Sequence, residues 1–181
     1  MKKVKTVLAI AVIGAVAAIA AVTSASGKEP IPPVASVDLD RFMGDWYVIG
    51  NIPTFIEKDV YDAVESYALD KDGKIRTTFR YRKGSFDAPI KTMNPVGTVV
   101  EGTNNAVWGM QFVWPIKAEY VIVYLSEDYS QTIIGRTDRD YVWIMARTPQ
   151  IPDADYDALV QRVRDLGYDT THLRKVPQSP R

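Results

Sequence analysis

RFMGDWYVIG, residues 41–50, places Gly44 two residues ahead of Trp46 and then runs on into an apolar stretch. Glycine accepts backbone conformations that a side chain forbids, and tryptophan is a large ring to seat. A bend-permitting residue before a bulky ring, at the entrance to a strand-like run, suggests a corner where the chain closes something off. What it closes depends on the segments that follow.

From Trp46 to Arg147, apolar runs of about 6–10 residues alternate with turn signals at short spacing, the pattern of an all-β barrel or sandwich. The pattern predicts strands near 46–52, 62–70, 74–82, 90–101, 106–113, 118–125, 130–137 and 141–147. Lys71-Asp72-Gly73, Gly102-Thr103-Asn104-Asn105 and Asp138-Arg139-Asp140 read as turns. The stretch 70–73 is faintly like a calcium loop, but its glycine is misplaced and the later Glu ligand is missing. A helix follows, begun by Pro152-Asp153 and ended by Gly167, with Tyr156, Leu159, Val160, Val163 and Leu166 on one face. Packed outside a sheet, that face would be covered. Residues 172–176 read as a short final strand.

The strands share a distinctive face. Ile75, Thr77, Phe79 and Tyr81 alternate with Lys74, Arg76, Thr78, Arg80 and Arg82. The same alternation groups Trp108, Met110 and Phe112, then Tyr120, Ile122 and Tyr124, then Tyr141, Trp143, Met145 and Arg147. This face is aromatic and rich in hydroxyls, where a dry sandwich prefers plain aliphatics. Amphipathic rings suit a cavity that meets a ligand both apolar and polar. An aromatic-rich packed core fits the same pattern.

Composition narrows the classes. The 181 residues hold 22 basic and 22 acidic side chains, with a pI near 6.6. No basic excess exists to displace counterions from a nucleic acid. The N-terminus has a basic head (Lys2, Lys3, Lys5), an Ala-rich apolar stretch over 7–22, and small residues at 23–25. That is the pattern of a secretory signal peptide, 1–25, with an apolar run short for a membrane span. Its removal leaves a net charge of −3. Residues 26–37, with Pro30, Pro32 and Pro33, read as an extended linker, 38–176 as the domain, and 177–181 as a tail. The chain has no Cys, which excludes disulfides, thiolate metal sites and lipid attachment to an N-terminal cysteine. The expected product is exported, and periplasmic or loosely associated with the outer membrane.

Gly44-Asp45-Trp46-Tyr47 resembles the Gly-x-Trp motif that opens the first strand of lipocalins. Glu127-Asp128-Tyr129 resembles the family's second motif, and Arg147, in Ile144-Met145-Ala146-Arg147-Thr148-Pro149, its third. Residues 138–149 are especially similar to the bacterial and apolipoprotein D-like branch. The resemblance covers about 38–176. It implies an eight-stranded antiparallel up-and-down barrel, a calyx with one C-terminal helix outside. Up-and-down topology then puts Gly44, Trp46, Asp128, Tyr129 and Arg147 at one end. Trp46 would plug it, Gly44 would let the chain cross beneath, and Arg147 would lie over the indole. These five are expected to be structural.

The opposite end is then a mouth, framed by 52–61, 82–89, 114–118 and 137–141. Phe55, Ile56, Phe86, Trp114 and Ile116 would form an apolar collar there. Lys58, Arg82, Lys83, Lys117 and Arg139 are available to an anionic headgroup, offset by Glu57, Asp59, Asp87, Asp138 and Asp140. The candidate ligand-contacting residues are Glu65, Tyr67, Phe79, Tyr81, Trp108, Met110, Phe112, Tyr120, Ile122, Tyr124 and Trp143. Glu65 follows from parity: if Tyr67 and Leu69 face inward, so does Glu65, whereas the opposite parity turns Val64, Ser66 and Ala68 in. An inward Glu65 would be a polar anchor; near the rim it would reach water.

The resemblance implies carriage of a fatty acid or lysophospholipid for lipid handling in the bacterial envelope, without catalysis, cofactor or metal. Contact of the mouth with a membrane surface, and a monomer or a homodimer, are both compatible with it. Three alternatives stay open at this point: a lipocalin-fold enzyme, a haem or pigment carrier, and an envelope chaperone. His172 is the only histidine, so neither a Ser–His pair near the calyx nor a two-histidine metal site can be built from this sequence.

Overall fold

Period-two alternation over residues 44–146 becomes one antiparallel sheet that closes on itself. The structure is a computed structural model that describes residues 27–113 and 115–179. The signal-peptide segment 1–25 and the collar residue Trp114 lie outside the described residues. A short helix, α1 (Leu39–Phe42), leads into β1 (Gly44–Ile52), β2 (Val60–Leu69), β3 (Ile75–Lys83), β4 (Ile90–Met93) and β5 (Val96–Val99). Then come β6 (Val107–Val113), β7 (Ile116–Leu125), β8 (Gln131–Gly135), β9 (Val142–Ala146), α2 (Asp153–Asp165) and β10 (Arg174–Lys175). β1 pairs with β2 on one side and β9 on the other, so the barrel is closed and antiparallel.

The strand expected over 90–101 is interrupted. β4 and β5 both pair with β3, end to end, and together fill the fourth of eight barrel positions. The break is at Asn94-Pro95, because proline has no N–H for the ladder. The Pro95 carbonyl instead accepts from Thr77 N at 3.1 Å. β10 is the extra strand, paired outside the eight with Gly50 and Asn51 of β1.

Two cores result. The one inside the barrel contains Phe42, Trp46, Tyr67, Phe79, Trp108 and Ile122. The other lies between the sheet and α2, where Tyr156, Leu159 and Val163 pack on Ile49, Val121 and Ile144. Val160 and Leu166 complete that helix face, partly buried. Gly50 is required beneath it, because a Cβ there would stand 2.7 Å from the Tyr156 hydroxyl. Gly167, at φ 86°, ends the helical region.

The segment before α1 is extended and bound to the barrel. Ile31 is buried in the outer core, Val34 N donates to the Ile122 carbonyl at 2.9 Å, and Val37 N to that of Asn104 at 3.0 Å. The tail is bound too: the Gln178 amide donates to the carbonyls of Val48 and Ala63 at 2.8 and 3.0 Å.

Candidate ligand cavity

The closed end is built from satisfied polar groups and interlocked rings. The N–H of the Trp46 indole donates to the Phe42 carbonyl at 2.8 Å, and the two rings lie 5.0 Å apart. Phe42 also meets Trp108 edge-on at 5.4 Å. The Arg147 guanidinium sits 3.8 Å from the Trp46 ring centroid and donates to the carbonyls of Asp45, Arg41 and Phe42 at 2.8, 2.8 and 3.0 Å. Its Nε reaches the Tyr129 carbonyl at 3.3 Å, so one side chain joins the β1 entrance, α1 and the β7–β8 turn. Gly44 sits at φ 94°, and a Cβ there would approach Arg147 to 3.4 Å; conformation and space both favour glycine.

In the β7–β8 turn, Asp128 accepts from the Ser126 and Ser130 hydroxyls and from Ser130 N, and these bonds hold its carboxyl down at about 2. Tyr129 adopts φ 61°, its hydroxyl accepts from Asp38 N, and the Arg41 guanidinium covers its ring at 3.9 Å. α1 was not expected from the sequence. It places Phe42, fully buried, as a second plug beside Trp46. The only signal for it is Asp38, whose carboxylate accepts from Arg41 N as an N-cap.

Above these rings the barrel is hollow. A cavity of about 420 Å³ opens toward the mouth, within the usual range for small-molecule sites. Of the eleven candidate residues, Glu65, Phe79, Met110, Phe112, Tyr120 and Trp143 line it. Tyr67, Trp108 and Ile122 face the barrel interior below, as part of the packed core; Trp108 stacks on Tyr120 at 4.9 Å. Tyr81 is buried against Phe79, 4.9 Å away, and does not reach the lining. Tyr124 is a correction: it lies on the outer side, against α2, with Arg162 over its ring at 4.4 Å. The β7–β8 register shifts between Ile122 and Tyr124, and one extra residue reverses every later side chain.

Glu65 faces the cavity near its floor, beside Phe79 in the ladder and one strand from Trp46. The Tyr67 hydroxyl donates to Glu65 Oε2 and lies 2.7 Å from the Tyr120 hydroxyl. Burial lifts the Glu65 carboxyl from 4.5 to about 7; the Tyr67 hydrogen bond opposes this and the charge of Glu57 adds to it. Burial also raises both tyrosines well above 10, so they stay protonated.

At the mouth, Phe55, Ile56 and Ile116 line the opening, and Phe55 and Ile116 are 77% and 72% exposed. Phe86 instead packs edge-on against Tyr61, at 5.0 Å. Three of the five cations expected there are otherwise engaged. Lys83 reaches the Ile56 carbonyl, Arg82 pairs with Asp62 at 3.4 Å, and Arg139 donates to the carbonyls of Glu29, Thr137 and Leu166. The cation that lines the cavity is Arg136, unforeseen in sequence, bound to Asp140 at 3.0 Å. Glu57 is buried rather than a free rim charge: it accepts from the Trp143 indole at 2.6 Å and from Thr54. Among the described residues, no three His, Asp or Glu side chains converge to hold a metal.

Known proteins place this architecture. A family model described as a lipocalin-like domain matches residues 37–178. Temperature-induced lipocalin-1 of Arabidopsis thaliana is 29% identical over 164 residues, 84% of this chain and 85% of its own. Outer membrane lipoprotein Blc of Escherichia coli K12 is 26% identical over 156 residues, covering 82% and 86%. Apolipoprotein D of Bos taurus is 28% identical over 135 residues, covering 70% and 69%. Among solved structures, insecticyanin of the tobacco hornworm Manduca sexta superposes with a TM-score of 0.65 at 15% identity, over 82% of this chain and 85% of that one, a likeness of fold alone. With barrel, plug and family model in agreement, the chain belongs to the lipocalin family.

Proposed function

We propose that the protein carries a monoacyl lipid, a fatty acid or lysophospholipid, in the barrel cavity. The observation that carries this reading is the apolar cavity opening through a collar of exposed Phe55, Phe112 and Ile116. Exposed rings of that size around an opening mark a place where apolar matter enters. Burying a methylene gains about 0.8 kcal/mol, so an acyl chain supplies enough to offset the cost of immobilisation. The function we propose is binding rather than catalysis.

The setting we propose is the bacterial envelope, reached through the N-terminal signal peptide. The similarity to the outer membrane lipoprotein Blc supports that setting. A thioether-linked lipid is not part of the proposal, because none of the 181 residues is Cys. Native mass spectrometry of protein purified from a bacterial host tests the carrier reading. Co-purified fatty acid or lysophospholipid is the expected result. A bare protein that takes up neither lipid when they are added would overturn it.

A further inference from the structure

We propose that the ligand is a free fatty acid held head-down, its carboxyl at the cavity floor against Glu65 and its acyl chain rising toward the mouth. This rests on the carrier reading and narrows it from monoacyl lipids to free fatty acids.

Tyr67 has one hydroxyl proton and bonds both Glu65 Oε2 and the Tyr120 hydroxyl. With the Tyr67 proton given to Glu65, the Tyr120 proton goes to the Tyr67 oxygen. Both phenolic protons are then consumed inside the triad. Among the described residues, nothing hydrogen-bonds Glu65 Oε1, and Glu65 lines the cavity. One carboxyl oxygen is thus left for the cavity's occupant. Thr77, directly opposite Tyr67 on the next strand, also lines the cavity. It is 2% exposed and its hydroxyl has no partner among the described residues. Buried polar groups without partners are rare, and the Thr77 hydroxyl, beside the open Glu65 oxygen at the floor of an otherwise apolar barrel, marks where a polar group of the ligand sits.

The chemistry selects the ligand class. A protonated Glu65 donates to a ligand carboxylate, and the pair shares one proton. A lysophospholipid has a permanently charged phosphodiester, which is too costly to bring to this floor. Entering tail-first, it would set a methyl group against Glu65 and Thr77 and leave both unpaired. The other titratable groups facing the floor are few. Tyr67 and Tyr120 stay protonated, and Glu57 is bound to Trp143 and Thr54. Nearer the mouth, Arg136 is paired with Asp138 and Asp140, and Glu119 accepts from Thr137. The facing residues of β3, β4 and β6 add only Thr77, Phe79, Met93, Met110 and Phe112, none of them charged. Glu65 is therefore the group whose titration the ligand senses. Above pH about 7 it is ionised before the ligand arrives, and two carboxylates then repel.

The test is titration calorimetry of dodecanoate, and of lysophosphatidylcholine with the same acyl chain, between pH 6 and 9. The wild-type dissociation constant for dodecanoate should rise above pH 7, approaching tenfold per pH unit. Glu65→Gln, whose amide donates at every pH, should flatten that profile to within twofold. Lysophosphatidylcholine should bind at least tenfold more weakly than dodecanoate at pH 6. A flat wild-type profile, an unchanged slope in Glu65→Gln, or equal affinity for the two lipids would overturn the head-down inference while leaving the carrier reading intact. Absence of binding by either lipid would overturn both. Carbon-13 NMR of carboxyl-labelled dodecanoate on the wild type decides the matter without any variant. A bound carboxyl resonance that moves with a transition near pH 7 is expected, and one that titrates as the free acid does in water would refute the inference.

Discussion

The two ends of the barrel use the same kinds of side chain to opposite effect. At the closed end, Phe42, Trp46 and Trp108 are fully buried, and both indole N–H groups have carbonyl partners. At the mouth, Phe55, Phe112 and Ile116 are 77%, 52% and 72% exposed. An aromatic ring is stabilising where it is packed and its polar atom is paired; left in water it is a surface waiting for an occupant. The difference teaches which motif residues hold the fold and which residues are free to meet a ligand.

Mutations at the two ends should differ accordingly. The largest effect is expected from Trp46→Ala, which empties the plug, breaks its bond to Phe42 and removes the surface under Arg147. A loss of about 4 kcal/mol in chemical denaturation is predicted, as for other large aromatic truncations in cores. Between the ends stands Glu65. Its carboxyl titrates at about 7 in the folded chain against 4.5 as a model group, so the folded state holds the extra proton between those values. Stability is then highest below pH 4.5 on this group's account and is lost as pH rises through 7. Glu65→Gln removes that loss, so unfolding curves at pH 8 should show a gain of up to about 3 kcal/mol, vanishing near pH 4. Next comes Arg147→Gln, which leaves carbonyls of Arg41, Asp45 and Phe42 short of a charged donor. Roughly 2 kcal/mol is expected, read as a lower Tm. The smallest effect on stability is at the mouth. Phe55→Ser should stay within about 0.5 kcal/mol of wild type while weakening uptake of an acyl ligand. A large loss of stability there would erase the contrast between the ends.

The same contrast explains what could be read from sequence. The closed end was legible, because Gly44, Trp46, Asp128, Tyr129 and Arg147 are tied to positions in the chain by backbone geometry and local hydrogen bonds. The inward face was legible wherever alternation ran unbroken, as along Ile75, Thr77, Phe79 and Tyr81 in β3. It failed at Tyr124, because a bulge changes parity without changing residue type. The split of β4 from β5 had a visible cause in Pro95, but an edge-tolerant proline and a strand break look alike in sequence. Charges at the mouth were the least legible. Lys83, Arg82 and Arg139 are engaged by carbonyls and an aspartate, while Arg136 reaches the lining, and which cation is engaged is decided by loop conformation rather than by spacing.

The central claim, that an acyl chain occupies the barrel interior, is tested most directly by filling that interior. Ala118 lines the cavity near the mouth end of β7, opposite Met110 in the ladder. Titration of oleate into the wild type should show one site per chain. Into Ala118→Phe it should bind at least tenfold more weakly, with the Tm unchanged or raised. Equal oleate affinity in the two proteins would place the lipid outside the barrel and contradict the account.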